Sequence, residues 1–142
     1  MIVLPVMTFV DTNVLLYAHD DKPDSRCKIA KELVNQLWDS RAGVLSTQVL
    51  QEFYFNATKI YKLAMPRAEA RRALAHYAQW RVIPTDAQMI MSASRLQDEH
   101  SVSFWDALIV QAALRASATF LCSEDLQDGR RFGSLTVRNP FV

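Results

Sequence analysis

Glycine is scarce in this 142-residue chain, which has it only at positions 43, 129 and 133. A dinucleotide-binding fingerprint and a phosphate-cradling P-loop each need several glycines at fixed spacing, so both are excluded. Cysteine is scarcer still. Cys27 and Cys122 lie far apart, match no metal or redox spacing, and read as thiols in a reducing compartment. His19, His76 and His100 are scattered, which leaves them as solvated or core histidines rather than a zinc site. The apolar opening at residues 1–7 is too short for a membrane span or a secretory signal and has no basic residue. Pro5 cannot donate to a sheet ladder, so a frayed strand start is expected there, with Met7 as an alternative initiator. The expected location is the cytosol. An excess of one charge is lacking too: the formal net charge is +1, so any basic face for nucleic acid must be local.

What is present is an ordinary globular composition, half apolar and 22% charged, which suits a single domain over residues 1–142. An apolar run ends in Val10-Asp11-Thr12-Asn13 and is followed by Val14 to Ala18, a strand that runs straight into a helical turn. Asp24 or Ser25 then caps a helix with Ile29, Leu33, Val34, Leu37 and Trp38 at helical spacing. Gly43 to Ser46 is a short buried strand. Ser46 or Thr47 caps a long helix with Leu50, Phe53, Tyr54, Ala57 and Tyr61 on its stripe. Pro66, a favoured first helical residue, opens a helix to about Trp80. Val82-Ile83 is a brief strand, and Thr85 or Asp86 caps a helix through Ile90, Ala93, Leu96 and His100. Ser103 precedes a helix from Phe104 to Leu114 that is apolar nearly all round, hence central. Thr119 to Cys122 and Leu135 to Arg138 are the remaining strands, with Gly129 and Gly133 in loops between them. Strands alternating with helices predict an α/β fold, a mostly parallel sheet of four to five short strands flanked by helices.

The acids follow this alternation. Asp11 leaves the first strand and Asp125 the fourth; Asp106 sits in the first turn of the central helix, and Glu52 lies about one and a half turns into the helix after the second strand. Open parallel sheets place ligands at the carboxyl edge of their strands, where all four can meet. Carboxylates gathered there repel one another and raise each other's pKa unless a cation neutralises them. Mg²⁺ and Mn²⁺ prefer oxygen ligands and activate water for attack on a phosphodiester. Each acid also has a plain reading. Asp11 can cap its turn, Asp106 can belong to a capping box with Ser103, Glu52 points away from its apolar stripe as a solvated residue would, and Asp125 can be turn chemistry. Glu124 and Asp128 compete with Asp125 for its role.

These segments resemble the PIN-domain ribonucleases, above all the VapC-type toxins of type II toxin–antitoxin pairs. The resemblance rests on Val10 to Ala18, Ser46 to Phe53, Ser103 to Ile109 and Cys122 to Leu126, in the family's order, with Leu135 to Phe141 like its closing strand. It implies an Mg²⁺- or Mn²⁺-dependent endoribonuclease acting on single-stranded regions of RNA, tRNA among the candidates. It further implies Asp11, Glu52, Asp106 and Asp125 as the catalytic and metal-binding acids. Asp11 and Asp106 are then the main metal ligands, with Thr12, Asn13 and Ser123 in support. A homodimer and a cognate antitoxin follow from the same resemblance. The alternative is a catalytically weak or inactive PIN domain that binds RNA or protein. A haloacid-dehalogenase type of site is disfavoured because Asn13 stands where it wants an acid.

Lys59, Lys62, Arg67, Arg71 and Arg72, and later Arg130, Arg131 and Arg138, offer a phosphate track or merely solvated faces. Trp105 reads first as a core aromatic, with base stacking as the other use. Trp38, Phe53, Tyr54, Phe55, Tyr61, Tyr77 and Trp80 are too many for one small core, so part of them is expected to form an exposed apolar patch for another chain.

Overall fold

The computed structural model describes residues 6–142, so the expected strand start before Val6 lies outside the described residues. The chain runs β1 (Thr8–Val10), α1 (Thr12–Ala18), α2 (Ser25–Ser40), β2 (Gly43–Ser46), α3 (Thr47–Ala57), α4 (Arg67–Tyr77), β3 (Arg81–Ile83), α5 (Ala87–Glu99), α6 (Phe104–Arg115), β4 (Phe120–Cys122), β5 (Arg131–Phe132) and β6 (Leu135–Arg138). The sheet order is β3-β2-β1-β4-β6-β5. Every pairing is parallel except the β5–β6 hairpin. The expected α/β fold with a mostly parallel sheet is what forms, with six strands rather than four to five. The extra strand is the two-residue β5. Gly133, at φ +60°, makes the tight reversal that lets Phe132 pair with Leu135, a pairing that hydrophobic periodicity over so few residues does not signal.

Every residue of β1 and β2 is buried, as strands covered on both faces must be. Phe9, Val10, Val44, Leu45 and Leu121 have no exposed surface. α6 is the central helix expected from its composition, burying Ala107 to Val110 together with Ala112 and Ala113. Local chemistry starts the helices: Asp24, Ser46, Asp86 and Ser103 each accept a backbone N–H of the first turn.

Three helix expectations need correction. α3 stops at Ala57 rather than running to Tyr61, because Met65 N–H donates to the Ala57 carbonyl at 2.9 Å and the Thr58 hydroxyl donates to that of Tyr54 at 3.0 Å. Tyr61 is therefore on a turn and 73% exposed. Pro66 precedes the first residue of α4 as its N-cap, and the helix ends at Tyr77, not Trp80. In α5 the buried stripe runs through Met89, Ala93 and Leu96, and Ile90 lies outside it.

The strand order decides where a ligand can sit. From β1 the chain moves outward to β2 and β3, then returns to lay β4 on the other side of β1. The connections on the two sides of β1 therefore diverge, and a crevice opens at the carboxyl ends of β1 and β4.

Candidate functional site

Asp11 emerges from β1 at that crevice, with an extended backbone (φ −74°, ψ 158°) and its N–H donating to the Cys122 carbonyl of β4 at 3.0 Å. Its Oδ1 accepts the Thr12 N–H at 2.8 Å and its Oδ2 accepts the Ser123 hydroxyl at 2.9 Å. The carboxyl is thus clamped from both strands. Only 7% of Asp11 is exposed. Burial raises its pKa to about 7, the charges of Asp125 and Glu52 push in the same direction, and the bonds from Thr12 and Ser123 oppose them.

α3 begins where β2 ends, so its first turns rise beside Asp11. Glu52 Oε1 accepts the Thr12 hydroxyl at 2.7 Å, which turns the glutamate into the crevice rather than into solvent. The plain reading of Glu52 as a solvated residue is thereby corrected. α6 precedes β4 and points its N-terminus at the same edge. Ser103 Oγ accepts the Asp106 N–H at 3.1 Å, the expected capping contact, while the Asp106 carboxylate has no bonded protein partner among the described residues. Asp125 follows β4. Its N–H donates to Ser123 Oγ at 3.2 Å, and Asn13 Nδ2 donates to its carboxylate at 3.3 Å. Burial raises its pKa, with the charges of Asp106 and Glu124 adding to the shift.

Asp11, Glu52, Asp106 and Asp125 line one cleft together with Thr12 and Asn13. None of the ion pairs among the described residues involves any of these acids. The rivals for the last position are engaged elsewhere: Glu124 pairs with Arg26 at 3.2 Å, and Asp128 Oδ1 accepts the Asn139 N–H at 2.9 Å. Among the described residues, no three acid, histidine or cysteine side chains close in tightly enough to cage an ion directly. An acidic cleft of this looseness suits a hard cation that keeps several waters and touches one or two carboxylates, as Mg²⁺ does.

Sequence reasoning missed Gln48, Asn56 and Ile109, which also line the cleft. A signal existed: Gln48, Glu52 and Asn56 recur every four residues and so share one face of α3. Trp105 overturns its core assignment, being 63% exposed on the cleft wall. Of the basic residues, none lines the acidic cleft. Lys62 lines a cavity that adjoins it at Asn13, while Arg130 and Arg138 lie over the rings of Phe132 and Phe120, at 4.8 and 5.0 Å. The aromatic surplus divides as well. Phe53, Tyr77 and Trp80 are buried, whereas Phe55 and Tyr61 are exposed beside Ile60.

Residues 8–130 match the family model of the PIN domain. The chain belongs to the PIN-domain family. Comparison of this PIN domain with curated proteins gives no match. Among solved structures, it is similar to VapC20 of Mycobacterium tuberculosis, described as a sarcin–ricin loop cleaving toxin. That likeness has a TM-score of 0.62 at 23% identity, over 83% of this chain and 91% of the other. A toxin–antitoxin complex from Klebsiella pneumoniae is similar at a TM-score of 0.69 and 17% identity, over 94% of this chain and 97% of the other. VapBC2 of Rickettsia felis, bound to a fragment of promoter DNA, is similar at 0.65 and 18%, over 93% of this chain and 97% of the other. At such identities the likeness is one of fold.

Proposed function

We propose that this PIN domain, spanning residues 1–142 as one unit, is an Mg²⁺- or Mn²⁺-dependent endoribonuclease. It hydrolyses phosphodiester bonds in single-stranded regions of RNA, tRNA among the candidate substrates. The observation that carries the proposal is the cleft itself: Asp11, Glu52, Asp106 and Asp125 share it without a cationic side chain to neutralise them. A divalent cation bound there supplies a Lewis acid for the phosphate and lowers the pKa of water.

Asp11 and Asp106 would hold that ion, and Glu52 and Asp125 would complete its surroundings. Thr12 and Ser123 aim the Asp11 carboxylate, Thr12 also fixes Glu52, and Asn13 orients Asp125. Glu52, held by the Thr12 hydroxyl, would polarise the attacking water. Asp11→Asn and Asp106→Asn are each expected to lower metal-dependent cleavage of a single-stranded RNA by at least about 100-fold without loss of fold. Activity retained in both variants excludes the assignment. No activity in the native chain with either metal selects the alternative of a binding module with a weak or inactive site.

The likeness to toxin–antitoxin complexes supports a further proposal, that this chain is the toxin of such a pair, acts in the cytoplasm and forms a homodimer. Its induction should arrest growth, and co-expression of the antitoxin should relieve the arrest. Among the described residues no helix is long and apolar enough to cross a membrane.

A further inference from the structure

Trp105 occupies the second position of α6, beside Asp106, and leaves most of its indole in solvent on the cleft wall. Tryptophan is normally well buried, so a ring left out in this way calls for a ligand. Its backbone is held in place. Gln48, buried on α3, donates Nε2–H to the Trp105 carbonyl at 3.3 Å, and the indole meets Phe104 edge-on, with ring centroids 5.4 Å apart and planes at 70°. The cleft around it is polar, with Ile109 the one other apolar residue in its lining among the described residues.

We infer that Trp105 is a stacking platform for a nucleobase next to the phosphate that enters the acidic cleft. The inference rests on the nuclease reading for the nature of the ligand. A flat base matches an indole face, and its own phosphate then lies towards the acids, where a divalent cation offsets their charge. A protein partner's apolar surface would gain only one ring here and would have to desolvate the neighbouring carboxylates. A base already stacked and paired inside a duplex has no free face to offer, so the platform favours single strands. It does so with little sequence preference, because every base has a π-face.

The test is binding of a short oligouridylate and of an abasic strand of equal length, followed by tryptophan fluorescence with Ca²⁺ in place of Mg²⁺ or Mn²⁺, so that the charge of the acids is offset while cleavage is suppressed. The native chain should bind the oligouridylate with quenching of the exposed indole, and the abasic strand more weakly and without quenching. Trp105→Ala should weaken oligouridylate binding about tenfold and leave the abasic strand unaffected, and Trp105→Phe should keep most of the affinity while losing the quenching. An unchanged melting temperature in both variants shows that the fold is intact. Absence of quenching in the native chain, or equal oligouridylate affinity in Trp105→Ala, overturns the inference. So does a change of sedimentation from dimer to monomer in Trp105→Ala with binding unaltered, which assigns the ring to a contact between copies of this chain. Metal-dependent cleavage with unchanged KM in Trp105→Ala removes the stacking role and leaves the nuclease reading standing. Base-dependent quenching with no cleavage under Mg²⁺ or Mn²⁺ does the reverse.

Discussion

Asp11 carries opposing demands. Burial holds its proton up to about pH 7, whereas an unfolded aspartate loses it near the ordinary value of 3.8. Between those values the folded chain binds more protons than the unfolded one, so this group's contribution to stability is full below the lower value and declines as pH rises through the upper one. The decline is on the order of 1.4 kcal/mol per pH unit at most. Asp11→Asn keeps the shape and removes the titration. In EDTA, the melting temperatures of variant and native chain should nearly coincide at pH 4, and the variant should gain steadily on the native chain by pH 8. A difference that stays flat across this range contradicts the buried, protonated carboxyl. The same proton competes with a cation, so cleavage should rise with pH as the acid ionises, with a midpoint below the metal-free value of about 7 that falls further as metal concentration rises.

Gly43, at the start of β2, shows how tightly one element constrains another. A Cβ there would lie 2.3 Å from two atoms of the Trp80 ring. Trp38 and Tyr77 pack edge-on against that ring, each with its centroid 5.5 Å away, and resist its displacement. Gly43→Ala is therefore expected to destabilise by about 1–3 kcal/mol, read as a lower urea midpoint. Combined with Trp80→Ala it should cost clearly less than the two changes summed, because the second removes the obstacle. Additive effects would place the strain elsewhere. A milder case is the cap of α3: Ser46, fully buried, accepts the Val49 N–H at 3.3 Å. Ser46→Ala should cost about 1 kcal/mol and, because α3 carries Gln48, Glu52 and Asn56 into the cleft, should reduce cleavage as well.

For the molecule as a whole, the cleft predicts a linkage between metal and stability. An ion that binds the folded chain and not the unfolded one stabilises by about 2.7 kcal/mol at a hundred times its dissociation constant. Mn²⁺ should raise the melting temperature of the native chain in a concentration-dependent way, and the increase should be smaller in Asp106→Asn. A melting temperature indifferent to Mn²⁺ at millimolar levels would count against a shared ion. The exposed Phe55, Ile60 and Tyr61 do not line the acidic cleft, although Tyr61 lines the cavity that adjoins it at Asn13, and they answer to the surplus of aromatics already visible in the composition.

Element type and order were legible in the amino-acid sequence because they depend on neighbours: the apolar period and caps such as Ser103. The acids could be placed relative to strands for the same reason, since Asp11 directly follows one and Asp106 opens a helix. What faces what was decided by packing. Thr12 reaches Glu52 across 40 positions and Ser123 reaches Asp11 across 112, distances over which no local pattern operates. The exposure of Trp105, the placing of Asp125 rather than Asp128 at the cleft, and the raised pKa of Asp11 all arise from burial and proximity. Those are properties of the folded surface, and they exist only once β4 has come to lie beside β1.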